Sequence, residues 1–356
     1  MNARERFVNI MNYKKADALP VMLFEPHESF TLNEWRKQGM PDDMTPEEFF
    51  GIDYEHKLQI HFYPLPPFER TIVSEEPEYY TEIECMGSTV RRKRDAPQMT
   101  YGHIAYPVHD RDSFLRYRER FTTESARYQI SIDEIAAQAQ ASRNPVTLSL
   151  FPFFMRLGFY SMGLERFLTS FYDDPDLIHE MFDFWASFII DTIAPVLAKV
   201  TPDIASFGED LAYKNGPHMS PRIYKEFWLP HQNRVMKAVK DAGVPFVCMY
   251  TSGDVRPLLP MMLENGFNMT WPLDQYSNMD PLALRKEYGR QLRMTGGISK
   301  STLFEGPDAI DRRLEELAPL IAEGGFIPAP DDMIPPEIPL KHFMYLVDKL
   351  KQVQWR

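Results

Sequence analysis

The sequence predicts an α/β fold, a (β/α)8 TIM-type barrel with an N-terminal β-hairpin insertion, and three observations predict it. From Pro145 onward, short apolar runs alternate with longer amphipathic runs, the pattern of parallel strands joined by crossover helices. Six such units can be counted before the chain ends. No Gly/Ser linker, low-complexity tract or internal repeat divides the 356 residues. Residues 1–356 are therefore read as one domain, because eight units of about 250 residues plus insertions still share a single core.

The first unit opens with PVTLSLFPFF (145–154), a buried strand. A helical run to about residue 200 follows it, broken by Gly158, Gly163 and Pro175. PDIASFGED (202–210) is the next strand. The helix after it starts at Ser220 as N-cap with Pro221 in the first helical position, and it closes on Gly243. PFVCMYTSGD (245–254) precedes a helix over 255–264, and FNMTWPLD (267–274) precedes one over 281–288. RMTGGIS (293–299) pairs with a helix over 306–323, and GGFIPAP (324–330) with one over 337–352. DALPVMLFE (17–25) supplies a seventh strand and LQIHFYPLP (58–66) an eighth. Between about residues 68 and 108 the text turns rich in β-formers around Met86-Gly87-Ser88, which predicts an antiparallel hairpin inserted beside the barrel mouth.

Composition narrows the partners. With 39 Lys+Arg against 51 Asp+Glu the net charge is −12, and no long basic run occurs, so nucleic acid and anionic membrane are not expected partners. The two cysteines, Cys85 and Cys248, make no Cys-x-x-Cys pair, which argues against a disulfide framework and for a reducing compartment. No apolar leader or membrane-spanning run is visible, so a cytoplasmic location is expected. The 25 Phe, 17 Tyr, 5 Trp and 20 Met suit either an aromatic core or an apolar ligand pocket.

Several phrases, in order, resemble the uroporphyrinogen decarboxylase superfamily. They are RERFVNIMNYKKADALPV (4–21), NGPHMSPRIYKEFWLP (215–230), SGDVRPLLPMMLENGFN (252–268), NMDPLALRKEYG (278–289), MTGGIS (294–299) and GGFIPAPDDMIPPEIPL (324–340). The resemblance implies a barrel with its site at the C-terminal ends of the strands. It also implies one of two chemistries. Haem-pathway decarboxylases of the family carry an Arg-Gln-Ala-Gly-Arg loop after the first strand, where this chain reads FEPHESFTLNEWRKQGMP (24–41). The closer branch is that of the corrinoid-dependent methyltransferases. Some of these bind zinc through His-x-Cys and a later Cys, and the matching positions here are Tyr250, Ser252 and Asp332.

Barrel geometry should bring a set of oxygen groups to the mouth: Glu209 and Asp210, Tyr250, Ser252 and Asp254, Asp274, then Asp331 and Asp332. Glu209, Tyr250 and Asp274 are the candidate catalytic groups, and Glu209, Asp274 and Asp332 the candidate ligands of a divalent metal such as zinc. His61, Phe151, Phe153, Arg156 and Trp271 are the candidate substrate contacts, with His27 as a further nitrogen donor. Each has a plainer alternative. Asp254 reads as a helix cap, and Asp331 and Asp332 as a turn before Pro335-Pro336. His61 reads as a satisfied buried histidine, the Phe stripe as core, and Gly296-Gly297 as a close-packed strand end. Strand alternation leaves open which of Glu209 and Asp210 faces the pocket.

These readings converge on a substrate:corrinoid methyltransferase. It would take a methyl group from a small methoxylated aromatic compound and pass it to the cobalt of a corrinoid carried by a partner protein. Two alternatives stay open: a decarboxylase of a uroporphyrinogen-like or smaller substrate, with Arg156 holding the departing carboxylate, and a non-catalytic corrinoid or tetrapyrrole binding module. A homodimer is compatible with either enzyme.

Overall fold

The structure is a computed structural model and describes residues 1–22, 29–94 and 101–353. Its centre is a seven-stranded parallel sheet whose strands pair in chain order. The strands are β1 (His56–Lys57), β6 (Val146–Leu150), β7 (Ile204–Gly208), β10 (Phe246–Tyr250), β11 (Met269–Trp271), β12 (Arg293–Ile298) and β13 (Phe326–Pro330). The sheet curls as a barrel wall, and helices cover its outer side. Covering on both faces explains why these strands read as nearly unbroken apolar runs. Leu148, Leu150, Phe207 and Met249, on the helix side, are at most 1% exposed.

The crossover helices begin where their caps predict. Ser220 Oγ accepts the Ile223 N–H and Pro221 opens the helix. A π-helical stretch, Tyr224–Trp228, then runs into the helix Leu229–Asp241, and Gly243 follows in the left-handed region. The long run after β6 is three helices, Phe154–Met162, Leu164–Asp173 and Pro175–Leu197; Gly163 and Pro175 mark the breaks, while Gly158 lies within the first. Among the described residues no helix is long and apolar enough to cross a membrane.

Within the barrel itself, three segments differ from expectation. The strand expected over 58–66 is instead β1, two residues earlier and only two residues long. Leu58 still donates to Thr147 O at 2.9 Å, but Ile60 then bridges Tyr128 in antiparallel fashion and the chain leaves the barrel wall. Pro64, Pro66 and Pro67 lack the N–H donors a ladder needs, so the run cannot continue as a central strand. Of the strand expected over 17–25, Met22 makes a parallel bridge to Asp53, and its remainder, like His27, lies partly outside the described residues. The helix expected from Val255 begins at Leu259, because Pro257 disfavours helical geometry at Arg256.

The insertion is a four-stranded antiparallel sheet rather than a hairpin alone: β2 (Thr71–Glu75), β3 (Tyr79–Ile83), β4 (Thr89–Lys93) and β5 (Tyr101–Ala105), paired in that order. Glu82, 2% exposed, ties it together by accepting from Arg70 and Arg92 at 2.6 Å each. A small ribbon of β8 (Ala212–Tyr213) and β9 (Gly216–Pro217) stands beyond the end of β7.

Candidate active site

Alternate residues of the central strands face into the barrel, and several of them are small. Thr147 and Ser149 on β6, Ser206 and Gly208 on β7 and Cys248 on β10 leave a cavity of about 250 Å³ in a position that barrel side chains usually fill. Its upper wall is aromatic. Tyr250 stacks on Trp271 with ring centroids 4.9 Å apart, and Phe151 meets Tyr250 edge-on at 6.4 Å. The parallel register β7·β10·β11 sets Gly208, Tyr250 and Trp271 side by side in one layer. Gly208 is required there, since a Cβ would stand 2.5 Å from Cδ2 of Phe151.

At the strand ends the chain answers the Glu209/Asp210 alternative. Glu209 turns away from the cavity into the helix layer, where it is fully buried. Its Oε2 accepts the Met155 N–H at 2.6 Å and its Oε1 accepts the Trp228 indole N–H at 2.9 Å. Burial pushes its carboxyl up to about 8, against the pull of those two donors. Asp210 faces the mouth and forms an ion pair with Arg156, whose guanidinium lies over the Phe151 ring at 5.6 Å. Burial raises the Asp210 carboxyl, Arg156 and the Ser252 N–H lower it, and nearby Asp332 raises it again.

The strand ends supply a second cavity of about 310 Å³, whose wall includes Ser252, Asp274, Lys300, Asp331 and Asp332. Lys300 Nζ pairs with Asp332 at 2.6 Å. Asp331 is 2% exposed, and burial beside Asp274 pushes its carboxyl up to about 7. Gly296 and Gly297 hold φ values of +118° and +84°, and a Cβ on Gly296 would stand 2.9 Å from Leu273 N, so this pair is the tight strand packing that its sequence suggested.

The candidates thus separate. Phe151, Tyr250 and Trp271 line the first cavity, Arg156 stands at its rim, and Asp274, Asp332 and Ser252 line the second. Four expectations are corrected. Glu209 is behind the wall and cannot touch a ligand in the barrel. Phe153 is fully buried, stacked on Phe154 at 4.2 Å, because the turn after β6 carries it into the core. His61 lies 3.1 Å from Gln129 and lines neither cavity, since its segment leaves the sheet. Asp254 caps no helix; it holds the Arg256 guanidinium through both oxygens, at 2.9 and 2.7 Å.

The proposed metal ligands do not converge. Glu209 already accepts two N–H donors, Asp274 accepts from Tyr276 N–H and the Ser277 hydroxyl, and Asp332 is neutralised by Lys300. Among the described residues no three His, Cys, Asp or Glu side chains are grouped to hold an ion. This donor set does not fit a zinc site.

Other residues of the site are less legible in the sequence. Tyr160 and Tyr101 stand close enough to Arg156 to influence its charge, the first one helical turn along, the second from β5 of the inserted sheet. The period-two run of small residues Thr147, Ser149, Ser206 and Gly208 was the signal for the cavity itself.

Comparisons with known proteins agree with this architecture. Residues 80–353 match the family model described as uroporphyrinogen decarboxylase (URO-D). A uroporphyrinogen decarboxylase of Nocardia farcinica is 27% identical over 154 residues, 43% of this chain and 41% of that one. One of Rhodococcus erythropolis is 36% identical over 101 residues, 28% of this chain and 26% of that one. The chain matches about two-fifths of the Nocardia protein's length and about a quarter of the Rhodococcus protein's. In structure, a methyltransferase from Methanosarcina mazei superposes over 98% of both chains with a TM-score of 0.62 at 16% identity, a likeness of fold. The chain belongs to the uroporphyrinogen decarboxylase family, a family of enzymes.

Proposed function

We infer that the protein transfers a methyl group from a small methoxylated aromatic compound to the cobalt of a corrinoid carried by a partner protein. The observation that carries this reading is the pairing of a small aromatic-walled cavity with a mouth that is rich in carboxylates. About 250 Å³ lies at the lower end of the roughly 300–1,000 Å³ usual for drug-sized ligands, which suits a single substituted ring. A tetrapyrrole with eight carboxylates would meet Asp210, Asp274, Asp331 and Asp332, with Arg156 and Lys300 already paired to Asp210 and Asp332.

The residues divide the work. Phe151, Tyr250 and Trp271 hold the ring by stacking and edge contacts. As the methyl–oxygen bond breaks, its electron pair stays on oxygen, and the resulting phenoxide needs a proton. Asp210 supplies it from its protonated form, which burial favours and the ion pair with Arg156 opposes. Arg156 orients Asp210 and limits that rise.

The test is methylation of cob(I)alamin by a panel of methoxyarenes, followed optically. Methyl transfer from at least one ring compound supports the reading; inactivity across the panel with release of carbon dioxide from an aryl carboxylate refutes it. That second outcome is the decarboxylase reading, favoured by one observation, the guanidinium of Arg156 lying against the Phe151 ring at the cavity rim.

A further inference from the structure

The second cavity differs in chemistry from the first. Its wall carries three carboxylates, Asp274, Asp331 and Asp332, against Lys214 and Lys300. Lys300 is committed to Asp332, and Lys214 is exposed, where solvent screens it. The remaining oxygen of Asp332 accepts the Met333 N–H at 2.8 Å, and both oxygens of Asp274 are engaged by Tyr276 and Ser277. Asp331 differs: it is 2% exposed, and although the Gln275 N–H reaches its carboxyl, its Oδ1 has no hydrogen-bond partner among the described residues. A buried acceptor without a donor is costly, and a ligand that brings an N–H relieves the cost. The rim adds two aromatic rings, Tyr213 and Tyr276, 51% and 55% exposed. Carboxylates below and exposed rings above are the surroundings that favour an organic cation.

The walls of the two cavities draw on the same strand ends. Tyr250 of the first and Ser252 of the second flank Thr251, and the Ser252 N–H lowers the Asp210 carboxyl at the rim between them. A ring held on Trp271 can therefore extend a short side chain toward Asp331. We propose that the second cavity is a subsite for a primary ammonium group on the aromatic substrate, which makes the substrate class methoxylated aralkylamines. The proposal rests on the first cavity being the ring site, and it is independent of where the methyl group goes.

The test is calorimetric binding to the purified protein with no methyl acceptor present. The probes are para-methoxyphenethylamine, the neutral para-methoxyphenethyl alcohol and the anionic para-methoxyphenylacetate. The amine is expected to bind about tenfold tighter than the alcohol, and the acetate more weakly than either. Asp331→Asn should erase the amine's advantage and leave the alcohol's affinity unchanged, while Tyr276→Leu should weaken the amine alone by about threefold. Equal affinity for amine and alcohol, tightest binding of the acetate, no binding of any probe, or a preference that survives in folded Asp331→Asn would each overturn the subsite. Should Asp331→Asn not fold, the three probes on the unaltered protein and the Tyr276→Leu result decide. An amine preference without methyl transfer upholds the subsite and faults the methyltransferase reading instead.

Discussion

Glu209 Oε2 accepts the backbone N–H of Met155 at 2.6 Å, a bond across 54 residues of chain that fastens the end of β7 to the first turn of the helix Phe154–Met162. That helix carries Arg156. Glu209 is thus a positioning residue: by accepting from Met155 N–H and Trp228 Nε1–H it holds the start of that helix, and so aims the neighbouring guanidinium at Asp210.

Replacing Glu209 by Gln leaves either Met155 N–H or Trp228 Nε1–H facing another donor, so denaturant unfolding at neutral pH should show a loss of about 1–3 kcal/mol. The pH dependence has a definite sign. A carboxyl near 8 in the folded state and 4.5 otherwise takes up a proton on folding, so its contribution makes stability fall as pH rises through that window. Glu209→Gln should flatten that fall, and an unchanged slope would show that another group causes it.

Gly208→Ala places a methyl 2.5 Å from the Phe151 ring. Thermal unfolding should report a cost of about 1–3 kcal/mol from overpacking. Binding of a methoxyarene should weaken as Phe151 is pushed into the cavity.

Asp210→Asn should lower kcat by about 10²–10⁴, the usual worth of a general acid, with little change in KM. Arg156→Met should act differently. Because Arg156 lowers the Asp210 carboxyl, its removal should move the falling alkaline limb of kcat to higher pH. A limb that stays in place would separate Arg156 from the proton donor.

Trp271→Ala removes the ring beneath Tyr250 and should raise KM about 3- to 10-fold, in keeping with an aromatic pair worth about 0.5–1.5 kcal/mol. Tyr250→Phe keeps the stack and should leave both constants nearly unchanged. A large fall in kcat for that variant would make the phenol a catalytic group.

The barrel, the Ser220 cap and most strand positions were legible in residue order, because these depend on local periodicity and on neighbours a few residues apart. Ser220 with Pro221, Gly163 with Pro175, and the apolar runs of β6, β7, β10, β12 and β13 needed nothing distant to be read. Which side chains meet depended on contacts between distant elements. Alternation along β7 required Glu209 and Asp210 to face opposite ways without saying which faced the mouth, and the deciding partners, Met155, Trp228 and Arg156, come from other helices. Phe153 and His61 misled for the same reason: a turn carried one into the core, and a proline-rich segment led the other away from the sheet. The dispersal of the expected metal ligands was equally invisible, since residue type and order say nothing of which hydrogen bonds have already claimed each oxygen.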